Sequence, residues 1–111
     1  MGFELRGNAR YARALDVTLI AGGHEHRART RDLSLGGLFA ETPLDLPVGA
    51  GVEVAFRVGT LPEEVRVPAT VRWVQRDGGA GVGLRFAGLG RVQQWGLNKF
   101  FADGLAVTAS S

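Results

Sequence analysis

Residues 51–87 read GVEVAFRVGTLPEEVRVPATVRWVQRDGGAGVGLRFA, and the period of two running through them decides the fold. In 51–58 the apolar side chains fall at Val52, Val54, Phe56 and Val58. In 64–75 they fall at Val65, Val67, Ala69, Val71 and Trp73, and in 81–87 at Val82, Leu84 and Phe86. Successive side chains of a strand point to opposite faces, so each segment reads as a strand with one face turned to a core. Asp77-Gly78 between the last two is a hairpin signal. Pro68 carries no N–H for a ladder, which calls for an edge position or a bulge within the second strand.

Upstream the pattern continues. Residues 14–21, ALDVTLIA, put Leu15, Val17 and Leu19 on one face, and Gly22-Gly23 makes a turn. Residues 24–33, HEHRARTRDL, alternate again, with Glu25, Arg27, Arg29 and Arg31 on the wet face. Gly36-Gly37 breaks the chain and Leu38-Phe39-Ala40 begins another strand, after which Pro43 and Pro47 frame a loop. Downstream of Gly88 the period changes. Leu89, Val92, Trp95, Leu97, Phe100 and Phe101 suit a helix capping an open barrel end, weakened by Gly96. Residues 104–111 read as a tail. Six short, evenly spaced strands and one C-terminal helix predict a mainly β, closed or nearly closed barrel, an arrangement that removes exposed sheet edges.

The 111 residues make one domain of ordinary composition, and no apolar run reaches the length of a membrane span. No basic start followed by an apolar block marks a secretory signal, so the expected location is cytoplasmic, with no membrane insertion. The absence of cysteine removes disulfides, thiolate catalysis and cysteine zinc sites together. Net charge is only +2, but Lys99 is the single lysine among 13 cationic residues. Six arginines (Arg6, Arg10, Arg13, Arg27, Arg29, Arg31) stand against three acids in residues 1–31, while the remainder is close to balance. The positive field therefore lies in the first quarter of the chain and predicts an anionic partner.

Two local patterns carry chemistry. Arg6-Gly7-Asn8-Ala9-Arg10 is an Arg-x-x-x-Arg outside any strand or helix period, and Asp32-Leu33-Ser34-Leu35-Gly36-Gly37 joins two strands. Taken singly, the first is commonplace in an arginine-rich chain and the second is an ordinary turn whose side chains cap nearby amides. Together they complement a guanine nucleotide. Phosphates and the guanine O6/N7 edge accept hydrogen bonds and suit Arg6 and Arg10, whose guanidinium planes also stack on purines. The N1–H and N2–H₂ edge donates, and Asp32 accepts there. Ser34 adds a donor or acceptor, and Gly36 and Gly37 allow backbone to approach a flat base.

Arg6, Arg10, Asp32, Ser34 and Gly37, followed by Leu38-Phe39, resemble the signature of the PilZ domain family. Val71-Arg72-Trp73-Val74 and Gly81-Val82-Gly83-Leu84-Arg85-Phe86 are similar to that family's late strands, so the likeness spans about residues 4–101. The resemblance implies a six-stranded β-barrel with a C-terminal helix and cyclic di-GMP bound on its outer surface. It further implies that residues 1–13 form a flexible arginine segment that folds over the ligand, with 14–103 as barrel plus helix. Leu5, just before the first arginine, favours one ligand molecule per site. With no output domain on the chain, the family implies signalling through an unidentified effector protein in motility, pili, polysaccharide production or gene regulation.

Other residues have plainer readings. Arg13 and Arg31 flank the site, either as further phosphate or base contacts or as solvated strand charges. Trp73 and Trp95 read most simply as core or barrel-end residues, with guanine stacking by Trp73 as the second reading. His24 and His26 point the same way from one strand but lack further ligands, so no metal site and no cofactor are expected. The acids are scattered, and no catalysis is read from them. A PilZ-like interaction module indifferent to nucleotide, a structural barrel within a larger assembly and a small RNA-binding barrel are the alternatives. The RNA reading lacks the aromatics interleaved with basic residues that base stacking needs, so no nucleic acid is expected.

Overall fold

The computed structural model describes residues 10–110, with side-chain surroundings for 10–102. Six strands, β1 (Asp16–Ala21), β2 (His24–Leu33), β3 (Gly37–Glu41), β4 (Gly51–Phe56), β5 (Val65–Gln75) and β6 (Gly81–Phe86), precede one helix, α1 (Arg91–Ser110). They close into an antiparallel barrel in the order β1-β2-β3-β6-β5-β4. Alternation explains why. Val17, Leu19, Leu38, Val54, Val67, Val71 and Val82 turn inward and are buried, each such side chain contributing about 1.5–3 kcal/mol on leaving water. Ala21 pairs with His24 across Gly22 and Gly23, both at positive φ, which is the two-residue hairpin turn that glycines favour.

Pro68 sits in the middle of β5, opposite Glu53 of β4. Its carbonyl accepts from the Ala87 N–H at 2.8 Å, so its own nitrogen faces the same neighbour. Pairing with β6 begins only at Ala69↔Phe86, and the missing donor therefore falls past the end of β6 and costs no ladder bond.

Three expectations change. Trp73 was expected to face the core with Val71. The register between β5 and β6 shifts between Val71 and Trp73, and the extra residue, Arg72, turns the indole outward, where it is 46% exposed. A bulge of this kind flips every side chain beyond it to the other face. Trp95 was also expected in the core or at the barrel end, with Val92 beside it, yet both lie exposed. The helix crosses the barrel at Gly96, where a Cβ would come within 2.2 Å of the Leu61 side chain, and the Gly96 carbonyl accepts from Thr60 Oγ1 at 2.6 Å. That close approach turns Leu97 and Phe101 inward as the lid. The helix also runs on to Ser110, through residues assigned to a tail. Leu105, Ala106 and Ala109 are good to fair helix formers with no proline among them, and they offset Gly104.

The segment before β1 is tied to the barrel. Tyr11 and Leu33 exchange backbone hydrogen bonds of 2.9 and 3.0 Å, and the Tyr11 ring stacks on Phe101, centroids 4.2 Å apart. The buried Thr30 hydroxyl accepts from the Leu15 N–H at 2.8 Å and donates to the Arg13 carbonyl. Arg10 is thereby delivered beside the C-terminal end of β2.

Candidate functional site

The bridge at Tyr11 places Arg10 Nη2 3.0 Å from Asp32 Oδ1. The contact is one of charge. Oδ1 is shielded from water, yet no donor among the described residues is aligned to make a hydrogen bond to it. A covered carboxylate oxygen without a directed donor is unusual in a folded protein, because leaving it unpaired costs free energy. Arg6 and Leu5 lie outside the described residues.

Ser34 and the glycines build the turn. The Ser34 hydroxyl is buried, accepts from the Gly36 and Gly37 N–H groups at 3.1 Å each and reaches the Gly37 carbonyl at 3.2 Å. Its donor and acceptor capacity is used inside the turn, so in this conformation it presents nothing to a ligand. The need for glycine at 37 has a similar cause. A Cβ there would lie 1.9 Å from the Leu84 carbonyl oxygen, so Gly37 lets β3 press against β6, which explains it without a base overhead. Gly36 accepts from the Phe86 N–H at 2.8 Å, fastening the turn to the same strand.

From Asp32 a row of side chains crosses the outside of the barrel. Asp32 pairs with Phe39, Phe39 with Gly83, and Gly83 with Trp73, and paired residues share a face. Phe39 is therefore on the outer surface although only 1% exposed. Trp73 stacks on it at 4.8 Å between centroids and 23° between planes. The Arg31 guanidinium covers it at 4.3 Å and donates to Glu41 Oε2 at 3.3 Å. Arg31 is thus engaged with Phe39 and Glu41. Arg13 is directed elsewhere, with its guanidinium at the Ala12 and Phe101 carbonyls. Trp73, by contrast, joins Arg10 and Asp32 on one face.

Three residues of this face escaped the sequence reading. Phe39 was taken simply as part of a strand, although inward Leu38 and Ala40 on either side leave it outward. Arg85 lies opposite Gly37 and Thr70, exposed and without an ion-pair partner among the described residues, as is Arg72 in the bulge. The face thus combines a carboxylate with an unaligned oxygen, an exposed indole and arginines that no acid among the described residues pairs. Elsewhere, a hollow between β1 and β4 is lined by Thr18, Ala55, Arg27, Arg29 and Arg57; Arg29 pairs with Asp16 at 3.0 Å, whereas Arg27 and Arg57 have no ion-pair partner among the described residues. His24 and His26 lie with ring centroids 6.5 Å apart, and among the described residues no group of three metal-binding side chains forms.

The PilZ domain family profile matches residues 4–102. The chain belongs to the PilZ domain family. Solved structures agree on the fold. The Bacillus subtilis inhibitor of motility, MotI/DgrA, matches this PilZ domain with a TM-score of 0.76 at 19% identity, over 89% of this chain and 51% of that one. A tetrameric PilZ protein from Xanthomonas campestris, self-assembled through a helical bundle, matches with a TM-score of 0.61 at 27% identity, over 78% and 50%. PlzA of Borreliella burgdorferi, solved in complex with c-di-GMP, matches with a TM-score of 0.61 at 13% identity, over 91% and 37%. The chain spans about half the length of the first two structures and less of the third. No curated protein sequence matches it. The six-stranded barrel with a C-terminal helix is therefore the PilZ fold, and among the described residues no helix is long and apolar enough to cross a membrane.

Proposed function

We propose that this PilZ domain is a cyclic di-GMP receptor that signals to a partner protein and catalyses no reaction. The observation that carries the reading is Asp32 Oδ1, a shielded carboxylate oxygen without an aligned donor, set between Arg10 and the outward row that ends at Trp73. In the bound state Asp32 accepts from the guanine N1–H and N2–H₂ groups, donors that a purine with a different edge lacks. Arg10, with Arg6 from the preceding segment, pairs with phosphate and with the O6/N7 edge through its planar fork. Trp73 offers an exposed ring face to a base, and Arg85 and Arg72 add positive charge along the same face. Family membership supports the ligand class, as does the structure of PlzA, which contains a barrel of this fold, in complex with c-di-GMP.

Signal transfer follows from where the ligand-binding arginines sit. Arg10 immediately precedes the Tyr11–Leu33 bridge, and Tyr11 stacks on Phe101 of α1. Reordering residues 1–13 around a ligand therefore alters the surface at the junction of the N-terminal segment and the helix, which is where an effector protein would read the change. Leu5 ahead of Arg6 favours one ligand molecule per site.

Calorimetric titration with cyclic di-GMP, GTP, GMP and a short RNA tests the reading. Saturable binding of micromolar affinity or better, confined to the cyclic dinucleotide and lost in Arg10→Ala, is the expected result. A folded sample that does not bind it, or Arg10→Ala binding equally well, overturns it.

A further inference from the structure

We propose that Phe39 is a positioning residue for base recognition, one that never reaches the ligand but holds the Trp73 indole as a prebuilt stacking platform. The inference rests on the cyclic di-GMP reading for its binding consequences, and on geometry alone for the platform.

Phe39 is an anomaly for a barrel surface. An outward phenylalanine is ordinarily wet, yet this one is covered on every side. Gly81 lies beneath it, where a Cβ would come 2.3 Å from the ring. Arg31 lies over it at 4.3 Å, held by Glu41, and Trp73 stacks against it. The indole in turn rests on Gly83, where a Cβ would come 2.1 Å from Nε1. Two glycines two residues apart on β6 thus open a seat for two rings laid side by side. An arginine closes the far end of the stack, and cation–π contact favours that closure. A tryptophan on a bare strand samples several rotamers, and fixing one of them on binding costs entropy. Here the cost is met in folding, and the indole is left with one side packed and another open. Its neighbour in the row is Phe39 and the next is Asp32, so a base stacked on the indole lies on the same face as the carboxylate that reads a guanine edge.

Sole-tryptophan proteins test this. Trp95 is the other tryptophan, exposed and distant in the sequence, so Trp95→Phe leaves Trp73 as the only tryptophan, excited selectively at the red edge of the absorption band where Tyr11 does not absorb. In that background, without ligand, Phe39→Leu should shift Trp73 emission to the red and raise acrylamide quenching, while Phe39→Tyr leaves both unchanged. Gly83→Ala, which lifts the indole from beneath and leaves Phe39 in place, should give the same red shift. Calorimetry should show Phe39→Leu weakening cyclic di-GMP about tenfold, the scale of losing part of one base–aromatic stack, with Phe39→Tyr restoring affinity. In a Trp73→Ala background Phe39→Leu should cost nothing more, because it acts through the indole. Unchanged emission in both Phe39→Leu and Gly83→Ala overturns the platform whether or not the ligand binds. Additive losses for Phe39→Leu and Trp73→Ala overturn the positioning role. A parent protein that binds no cyclic di-GMP while the emission shifts remain removes the receptor reading and keeps the platform.

Discussion

Replacing Asp32 by alanine separates binding from folding more cleanly than any other change on this face. In the free protein the Arg10–Asp32 contact is a half-exposed pair, with side chains 47% and 28% accessible, and no aligned hydrogen bond reaches Oδ1. Pairs of that kind contribute about 0.2–1 kcal/mol, so Asp32→Ala should lower the melting temperature by about 5 °C or less in a domain of this size. In the proposed complex the same carboxylate accepts from two guanine donors, each bond to a charged group being worth about 1.5–3 kcal/mol. Losing both, with some compensation by water, costs about 3 kcal/mol, or about 150-fold in affinity. Asp32→Asn keeps one acceptor oxygen and should lie between, about tenfold weaker. Calorimetry beside thermal unfolding measures both quantities on one sample. Unaltered affinity in Asp32→Ala, or a melting loss large enough to account for the binding loss, refutes the assignment of Asp32 as the guanine reader.

Ser34→Ala should show the converse pattern. Removing a buried hydroxyl that serves two amides costs about 2 kcal/mol of stability, or about 10 °C of melting temperature, and saturating ligand should recover much of it by linkage; a mutant as stable as the parent but unable to bind would reassign Ser34 to the ligand. Gly37→Ala should destabilise by about 3 kcal/mol or more, because β3 must move off β6, and chemical denaturation reads this directly. Leu97→Ala should cost about 2–5 kcal/mol by leaving a cavity under the helix, whereas Trp95→Ala, with an indole 58% exposed, should stay within about 1 kcal/mol in the same titration.

The barrel was legible because its evidence is redundant. Five of the six strands repeat the alternation in whole or in part, so one irregular residue does not hide the pattern. The two tryptophans were not legible, and each for a single local reason. Trp73 faces outward because one additional residue enters β5 at Arg72, and no glycine or proline marks that bulge. Trp95 faces outward because Gly96 fixes where α1 crosses Leu61, so a residue read as a weakness of the helix is what orients it. Phe39 was legible only in combination. Its outward direction follows from its neighbours, but the space that receives its ring is created by Gly81, forty-two positions away on another strand.

The Asp-x-Ser-x-x-Gly pattern divides into two kinds of residue, and the division explains why the pattern is compact. Ser34 and Gly37 face inward to the turn and to β6, and their chemistry is spent on backbone: three contacts from one hydroxyl and a strand approach that no Cβ permits. Asp32 alone points outward, in register with Phe39. The turn therefore works as a jig that sets the height and direction of one carboxylate against the outer row. Rigidity of that kind suits selection by a base edge, since a hydrogen-bond acceptor displaced by about 1 Å loses most of its directional preference. Arg10 differs, because it lies ahead of the first strand and is placed by the Tyr11–Leu33 bridge and the Tyr11–Phe101 stack rather than by a strand of its own. A receptor that must both discriminate and respond would gain from that asymmetry: the proposed reading group is fixed in the sheet, and Arg10 is carried by the segment that precedes it.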